Sequence, residues 1–435
     1  MNIKTKPKWK KTMKIIGITM LVIGVLIVIN MTMNTIANKA NTDLAASFES
    51  VKNGNAVIPQ KDDDGNWTFT TDRELKVLQF TDIHIGGGWL SAEKDAKAIN
   101  AVAAMITAEK PDLVIVTGDI VYPVPYESAA INNLPPAKVF ATLMETLGVY
   151  WIPTFGNHDT EFYSFYSREK ISEYYSSDEL KYCLFQRGDE SIDGFGNTVI
   201  NVKNSQGIIT QSIFTLDSHA YEGKGLMSII NMKYDNLHQN QIDWYKATVE
   251  KNSKYNREQI EHLSIVSSKS EFDKEGLLEK YGNVNSMLFF HIPIQEYGDA
   301  WFEYVKNDYQ DTDDIKLIYG TAGETGEVIY CGVHPDELFE TMQAMEGKKA
   351  IFCGHDHLNN FSIDYKGIRL TYGMSIDYLA YSGIAKLGSQ RGCTVITIKP
   401  DGNFECSAEN YYQDKYQVLT GIKEEVTMQD LNPAD

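Results

Sequence analysis

Short apolar runs alternate with segments of helical periodicity between residues 75 and 155. Leu75 to Phe80, Leu113 to Thr117 and Val149 to Phe155 have the length and composition of buried strands. Between them, Ala92 to Glu109 and Pro136 to Leu147 place their apolar residues on one helical face. Strands that alternate with helices predict an α/β layered fold, in which the carboxyl ends of parallel strands gather at one edge of the sheet.

The pattern changes after residue 160. Lys181 to Phe185, Asn197 to Val202 and Ile209 to Leu216 are strand-like runs separated by glycine-containing turns, which indicates an antiparallel section of a second sheet. Met287 to Phe290 and Ala350 to Cys353 are further apolar runs of strand length. We therefore expect the chain to form two sheets.

Ile15 to Met33 is the longest apolar stretch of the chain. At ~1.5 Å per residue, a helix of this length comes close to the ~30 Å thickness of the hydrocarbon core of a bilayer. Six lysines and no acidic residue occur in the first fourteen residues, so the positive-inside rule keeps the amino terminus in the cytoplasm and exports the rest. A removed signal peptide is the alternative, because Thr35-x-Ala37 resembles a weak cleavage site. The uncleaved anchor is the favoured interpretation.

These patterns predict four segments. Residues 1–36 form the basic segment and the membrane anchor or signal peptide, and the polar residues 37–72 form a stalk. Residues 73–410 form the folded α/β domain, and residues 411–435 form an acidic tail. Five scattered cysteines without CxxC spacing indicate free thiols rather than a disulfide framework.

Composition and charge narrow the range of functions. Hydrophobic residues make up 43% and charged residues 23% of the chain, as in ordinary globular proteins. The formal charge is -19, and the chain without its amino-terminal lysines is more negative still. Such a body repels nucleic-acid backbones, so no nucleic-acid-binding surface is expected. An anionic ligand would need a local cationic site, such as bound metal ions.

Polar side chains with nitrogen or oxygen donors follow the apolar runs at five places. The candidate metal ligands are Asp82, His84, Asp119, Asn157, His291, His355 and His357. One histidine or aspartate at a strand end is usually a capping or packing residue, so the whole set carries the prediction. Seven donors exceed what one ion needs, whereas two ions that share a carboxylate would use them all. Such pairs cleave phosphate esters, and donors without thiolate suit Mn, Fe or Zn.

The order Asp-x-His, Gly-Asp, Gly-Asn-His-Asp, His and Gly-His-x-His resembles the calcineurin-like metallophosphoesterase superfamily, from about Leu75 to Ile398. The flanking stretches Phe290-His-Ile-Pro293 and Gly354-His-Asp-His-Leu-Asn-Asn360 look most similar to the purple-acid-phosphatase-like branch, which includes Dcr2-type phosphatases. This resemblance implies a four-layer α/β/β/α sandwich with two metal ions.

The resemblance also implies a role for each candidate residue. The first ion would be held by Asp82, His84, Asp119 and His357. The second ion would be held by Asp119, Asn157, His291 and His355, so that Asp119 bridges the two. His158 would protonate the leaving group, and Asp159 would orient His158.

One position leaves the nature of the metal centre open. Purple acid phosphatases carry a tyrosine three residues after the bridging aspartate, where this chain has Tyr122, but they lack the first-motif histidine, which is His84 here. Tyr122 as an iron ligand therefore competes with His84. Tyr381, Ser382, Gly383 and Arg391, in a glycine-containing loop, are candidates for the pocket wall, although a plain turn is favoured. His219 is the reserve candidate ligand.

The expected function is that of an exported, membrane-anchored phosphoesterase in which a metal-bridging hydroxide attacks phosphorus in line. Phosphomonoesters are the favoured substrates. A phosphodiesterase or nucleotide hydrolase of the same fold is the alternative, and a non-catalytic metal-binding surface protein is a weaker one. The expected location is the cell membrane, with the catalytic domain outside the cytoplasm, or the exterior after signal cleavage.

Overall fold

Two β-sheets, with helices covering their outer faces, make up the fold. The computed structural model describes residues 8–51, 53–223, 225–230, 233–266, 272–381, 384 and 391–416. The strands are β1 (Gln60–Lys61), β2 (Trp67–Thr70), β3 (Leu75–Phe80), β4 (Leu113–Thr117), β5 (Trp151–Thr154), β6 (Thr198–Lys203), β7 (Ile209–Thr215), β8 (Ser286–Phe289), β9 (Ile315–Tyr319), β10 (Lys349–Cys353), β11 (Ser362–Tyr365), β12 (Ile368–Tyr372), β13 (Gly392–Ile398) and β14 (Phe404–Asn410). The helices are α1 (Lys8–Ala45), α2 (Ala92–Glu109), α3 (Pro125–Ser128), α4 (Leu134–Leu147), α5 (Arg168–Tyr175), α6 (Leu226–Ile230), α7 (Gln239–Val266), α8 (Lys274–Tyr281), α9 (Glu296–Lys306) and α10 (Leu338–Ala344).

The two sheets differ in size and in strand direction. The smaller sheet has the order β14-β13-β3-β4-β5, in which β3, β4 and β5 are parallel. The larger sheet has the order β1-β2-β6-β7-β8-β10-β12-β11-β9. Its central strands β7, β8, β10 and β12 are parallel, and β6 pairs with β7 in the antiparallel sense. Both sheets therefore present the carboxyl ends of parallel strands.

Alternating side chains divide the interior into layers. Val77 of β3 and Phe289 of β8 lie in the core between the two sheets. Leu78 points to the opposite face, where α2 and α4 cover the smaller sheet, and Leu288 points to the face that α7 and α9 cover. This helix–sheet–sheet–helix order confirms the predicted four-layer sandwich.

The N-terminal helix is longer than the predicted span and continues onto the folded body. One helix among the described residues is long and apolar enough to cross a membrane, with a mean hydropathy of 2.5 over its most apolar window. The later turns of α1 pack against α2 and α4, where Ala37 and Ala45 are buried. Asn30 and Asn34 both donate to the carbonyl oxygen of Ala129, at 2.9 and 2.8 Å.

The predicted stalk, residues 37–72, has a different structure from the one expected. Its first part is the end of α1, and β1 and β2 join the larger sheet, because β2 pairs in parallel with β6. Two asparagines of this polar segment lie on the face of α1 that docks on the body. Asn38 donates to the carbonyl oxygen of Gly87, and Asn41 donates to that of Ala92.

Two further expectations meet a different outcome. The predicted strand at Lys181 to Phe185 is reduced to one bridge between Cys183 and Trp151, because this segment runs along the outer edge of β5. The predicted tail begins inside the core: Tyr411 and Tyr416 are buried, and the Tyr416 hydroxyl donates to Glu109. Residues 417–435 lie outside the described residues. The five cysteines are free thiols, as predicted.

The contact between the sheets can be tested at Phe352 of β10, whose ring centroid lies 6.0 Å from that of Phe404 on β14 of the smaller sheet. Phe352→Ala should lower the free energy of unfolding by about 3–5 kcal/mol, because the truncation leaves a cavity between two packed sheets. Denaturant titration of the full chain in detergent measures the change. Phe302→Ala, on the exposed face of α9, is the matched control and should stay within about 0.5 kcal/mol of the wild type. Equal losses in both variants would contradict the described core.

Candidate metal centre

All seven predicted ligands lie at the edge where the parallel strands of both sheets end. Asp82 and His84 follow β3, Asp119 follows β4, and Asn157 follows β5. His291 follows β8 of the larger sheet, and the pair His355 and His357 follows β10. The structure thus brings together residues that are up to 275 positions apart in the sequence.

Asp119 is the central residue of this group. Its Oδ2 atom lies 3.3 Å from Nε2 of His84 and 3.2 Å from Nε2 of His291. The same Nε2 atom of His291 is 3.1 Å from Oδ1 of Asn157 and 3.3 Å from Nδ1 of His355. One carboxylate thus faces histidines from both sheets.

Asp82 forms the other half of the group. Its Oδ2 atom accepts hydrogen bonds from the Thr81 hydroxyl at 2.8 Å and the His355 backbone N–H at 3.1 Å. Its buried Oδ1 atom makes no hydrogen bond within the described residues and lies 3.4 Å from Nε2 of His357. A buried carboxylate oxygen without a donor, surrounded by imidazole nitrogens, fits a bound cation.

Donor atoms of these residues form two compact groups. Asp82, His84 and His357 offer ligand atoms within 4.8 Å of one another, and so do Asp82, Asp119 and His291. The two groups share Asp82 and are connected through the contact of His84 with Asp119. Nitrogen and carboxylate donors in two adjoining groups suit a pair of borderline metal ions.

The backbone of the centre is held in conformations that side chains rarely adopt. Four predicted ligands have positive φ angles, namely Asp82 (50°), His84 (55°), Asp119 (52°) and His355 (78°). Such residues cost about 1–3 kcal/mol each and cluster at functional sites. Close packing leaves no room for a side chain at Gly156, because a Cβ atom there would lie 2.1 Å from Oδ1 of Asp119. The first position of the Gly-Asn-His-Asp motif therefore has no room for any side chain, which explains its glycine.

Charge is concentrated in this buried space. Burial lowers the pKa of His84, but Asp377 and Asp119 outweigh burial and raise it to about 9. Burial also lowers the pKa of His291, but Asp119 opposes this effect and raises the pKa of His291 to about 9. Burial raises the pKa of Asp119, yet His291 and His158 hold it well below its usual value. Asp119 is therefore an anion that needs neighbouring positive charge.

Asp377 contacts two predicted ligands and was missed by the sequence analysis. Its Oδ1 atom lies 3.2 Å from Nδ1 of His84, and its Oδ2 atom lies 3.3 Å from Nδ1 of His357. A carboxylate on Nδ1 fixes the imidazole so that Nε2 faces the metal position. The available signal was its place five residues after β12, which pairs with β10.

His158 lies beside the ligands, but its partner differs from the predicted one. Its Nδ1 atom is 2.7 Å from Oε1 of Glu161, and one quarter of its side chain is exposed. The carboxylate of Asp159 instead accepts the backbone N–H groups of Asp119, Val121 and Gly156, at 2.9, 3.1 and 2.7 Å. The prediction that Asp159 orients His158 is therefore wrong, because that carboxylate is used to hold the β4 and β5 loops together.

Comparison with known proteins agrees with this geometry. The calcineurin-like phosphoesterase family matches residues 75–359, which is well over half of the chain. The chain belongs to the calcineurin-like phosphoesterase family. It is 25% identical over 338 residues to "Probable inactive purple acid phosphatase 28" of Arabidopsis thaliana, covering 72% of this chain and 73% of the relative.

Two more relatives of this phosphoesterase lie in the same branch. "Probable inactive purple acid phosphatase 14" of Arabidopsis thaliana is 28% identical over 338 residues, covering 73% of this chain and 74% of the relative. "Phosphatase DCR2" of Saccharomyces cerevisiae is 26% identical over 310 residues, covering 68% of this chain and 46% of the yeast protein. The predicted resemblance to the purple-acid-phosphatase-like and Dcr2-type branch is confirmed.

The remaining candidates fall around the centre of the phosphoesterase. The ring of Tyr122 lies 4.8 Å from those of His84 and His158, in an apolar cluster with Val124 and Leu379. Burial raises the pKa of Tyr122, and the ring nitrogen of His84 belongs to the same group of donor atoms as Asp82 and His357. The geometry thus favours His84 over Tyr122 as the ligand.

The predicted pocket-wall residues separate into different environments. The ring of Tyr381 lies 5.9 Å from that of His357, beside the centre, whereas Ser382 and Gly383 lie outside the described residues. Arg391 is buried over the ring of Tyr378 and donates to the carbonyl oxygen of Asp377, so it supports the chain behind the centre. The reserve candidate His219 stacks on His238, and these two histidines form a separate group of donor atoms with Asp235.

Asp377→Asn tests the support of the two histidines. An amide that replaces the carboxylate weakens the hold on both Nδ1 atoms, so metal affinity should fall roughly 10–100-fold. Titration of the apo chain with Zn²⁺, followed by calorimetry, measures the change. Asp243→Asn, on the exposed face of α7, is the control and should bind as the wild type does. Unchanged affinity in Asp377→Asn would show that Asp377 does not support the ligands.

Proposed function

We propose that the chain is a metal-dependent phosphomonoesterase, anchored in the cell membrane by α1 with its catalytic domain exported. The observation that carries the proposal is the convergence of the seven predicted ligands, with Asp119 among them at the centre, at the joint edge of two sheets. No candidate ligand position is lost from the motifs of the family.

Two ions fit the donors better than one. Asp82, His84, Asp119 and His357 would hold the first ion, and Asp119, Asn157, His291 and His355 would hold the second. The donor types suit Mn, Fe or Zn. When bound, such a pair supplies positive charge for the phosphoryl oxygens and lowers the pKa of the attacking water. The carboxylate of Asp119 would contact both ions and shield them from each other.

His158 is placed to provide the proton for the leaving group. It is a neighbour of the ligand Asn157 in the sequence, yet its imidazole contacts Glu161, and its backbone N–H donates to Oδ1 of Asp119 at 2.8 Å. Because Nδ1 faces Glu161, Nε2 is the nitrogen available for a substrate oxygen. Tyr221 donates to the same Glu161 oxygen at 3.2 Å, which fixes that carboxylate in turn. Glu161 thus takes the orienting role that Asp159 was expected to have.

Monoesters are the proposed substrates because the named relatives are phosphatases. The names of the two plant relatives describe them as probably inactive, which keeps a non-catalytic metal-binding protein as the second candidate. The complete set of seven donors in this chain supports catalysis.

Loss of His158 should affect alkyl phosphates more than nitrophenyl phosphate. His158→Ala should lower turnover of an alkyl monoester by roughly 10²–10⁴, the usual range for a general acid, because an alkoxide leaves poorly without a proton. Nitrophenolate leaves as a stable anion, so its ester should be least affected. Glu161→Gln should show a weaker form of the same trend, since it loosens the imidazole. Turnover of the metal-loaded chain in detergent, with a diester as comparison, measures all three substrates.

The control for that experiment is His334→Ala, an exposed histidine, which should retain wild-type turnover. Bound metal is measured in each variant. An equal loss on both monoesters in His158→Ala, or a loss of metal, would rule out the proton-donor role. A wild-type chain that prefers the diester would overturn the monoesterase proposal, and one that is inactive on every ester would favour the non-catalytic candidate.

The proposed topology can be measured independently of activity. A reporter fused after Asp435 should be active only outside the cytoplasm, because the lysine cluster that precedes the apolar span stays inside. The mass of the purified membrane form reports whether the first 36 residues are retained. Cytoplasmic reporter activity would reverse the orientation, and a shortened soluble chain would favour the cleaved signal peptide.

A further inference from the structure

Three loops around the metal centre expose large apolar side chains. We call this group the apolar rim, and each member is 40–77% exposed. Its residues are Trp89, Leu90, Tyr126, Ile131, Phe162 and Phe165. Soluble surfaces rarely gather so many large apolar side chains without a partner.

The rim belongs to the same loops as the ligands. Trp89 and Leu90 lie in the loop after β3, Tyr126 and Ile131 in the segment after β4, and Phe162 and Phe165 in the loop after β5. The loops contact one another, because the Phe165 N–H donates to the Ile131 carbonyl oxygen at 2.9 Å. The Asn133 amide donates to the carbonyl oxygens of Asp159 and Tyr166, both at 2.9 Å. The rim and the metal centre therefore share one edge of the domain.

The apolar helix α1 joins the body at this rim. The Trp89 indole N–H donates to Oδ1 of Asn30 at 2.9 Å, and its backbone N–H donates to Oδ1 of Asn34 at 3.0 Å. Asn30 lies in the last turn of the apolar stretch Ile15 to Met33, and Asn34 comes directly after it. One helical turn covers only ~5.4 Å, so Trp89 lies close to the level at which the apolar span ends. In a membrane-spanning α1, that level is the bilayer surface.

A cavity extends this apolar surface along the helix. It has a volume of about 720 Å³ and lies between Ile27 and Met31 of α1 and Ile131, Pro135 and Phe165 of the body. Ile27 is part of the apolar span itself, so in a membrane-spanning α1 the cavity would open at the depth of the lipid chains.

The charge of the rim fits a lipid surface better than a polar partner. Residues 85–92, 120–126, 128–137 and 162–167 contain no charged side chain, although charged residues make up 23% of the chain, and Glu127 is the single charged residue between positions 120 and 137. Tryptophan, tyrosine and phenylalanine beside a membrane helix are typical of side chains at the headgroup level. The strongly acidic body gives no electrostatic attraction to anionic lipids, so contact would depend on apolar side chains.

We propose that the apolar rim lies on the bilayer that α1 crosses, so that the metal centre hydrolyses phosphate monoesters carried by membrane lipids. This inference rests on the anchoring and the phosphomonoesterase activity proposed above and adds the class of substrate. The continuous helix from the span to the body, without an intervening linker, fixes the centre at the membrane surface.

The test uses the full chain reconstituted into phosphatidylcholine vesicles. Phosphatidic acid in the vesicles is the lipid monoester, and glycerol 3-phosphate is the soluble monoester with a similar reacting group. The triple variant Tyr126→Ser/Ile131→Ser/Phe165→Ser should lose about tenfold or more in turnover of phosphatidic acid, with unchanged turnover of glycerol 3-phosphate. Ile58→Ser is the matched control, because Ile58 is as exposed as the rim residues but lies far from them. Its neighbour Val57 donates its N–H to Asp112, which precedes β4 at the end opposite the metal centre. This control should behave as the wild type on both substrates.

A second measurement does not depend on activity. Brominated phosphatidylcholine quenches tryptophan near lipid chains, so Trp89→Phe should reduce the quenched fraction of the fluorescence relative to the wild type. Equal quenching, or equal hydrolysis of phosphatidic acid by the wild type and the triple variant, would overturn the membrane-facing rim. A triple variant that changes only its oligomeric state would overturn it in favour of a second copy of the chain. Lack of hydrolysis of both substrates by the wild type would instead defeat the proposed activity, while the quenching result would still report on the rim.

Discussion

The structure depends on one buried carboxylate, that of Asp119, placed where two sheets meet. One of its oxygens accepts the His158 N–H, and the other faces His84 and His291. Its own N–H donates to Asp159, whose carboxylate also binds Gly156 and therefore ties the β4 loop to the β5 loop. A desolvated anion of this kind is costly unless positive charge compensates it. The strained backbone and the glycines that surround it follow from that requirement.

Much of this arrangement can be predicted from the sequence. Parallel strands end at one edge, so a polar residue directly after each apolar run, such as Asp82 or His291, must point into a common space. Asp377 and Glu161 cannot be predicted in this way. Their contacts with His84 and His158 form only when the loops fold, and no sequence pattern indicates them. The role of Asp159 was misassigned for the same reason: adjacency in the sequence suggested a contact with His158 that the backbone N–H groups of the neighbouring loops take instead.

In the N-terminal region, composition alone also led to a wrong structural prediction. Asparagine-rich sequence is typical of linkers, yet asparagines spaced by one helical turn form a polar face that hydrogen-bonds to exposed carbonyl groups. Asn30, Asn34 and Asn38 use this face to bind the loops that follow β3 and β4. The apolar span, the loops and the ligands thereby form one continuous unit. The hydrogen bonds of these asparagines therefore fix the position of the ligand-bearing loops relative to the end of the apolar run.

Two metal ions that share Asp119 would be visible directly by diffraction. Crystals of the full chain grown with Zn²⁺ would be measured on both sides of the zinc absorption edge. We expect two anomalous peaks per chain, each about 2.0–2.2 Å from a side-chain oxygen of Asp119, the usual zinc–carboxylate distance. A single peak, or two peaks of which one lies away from Asp119, would contradict the shared-carboxylate centre.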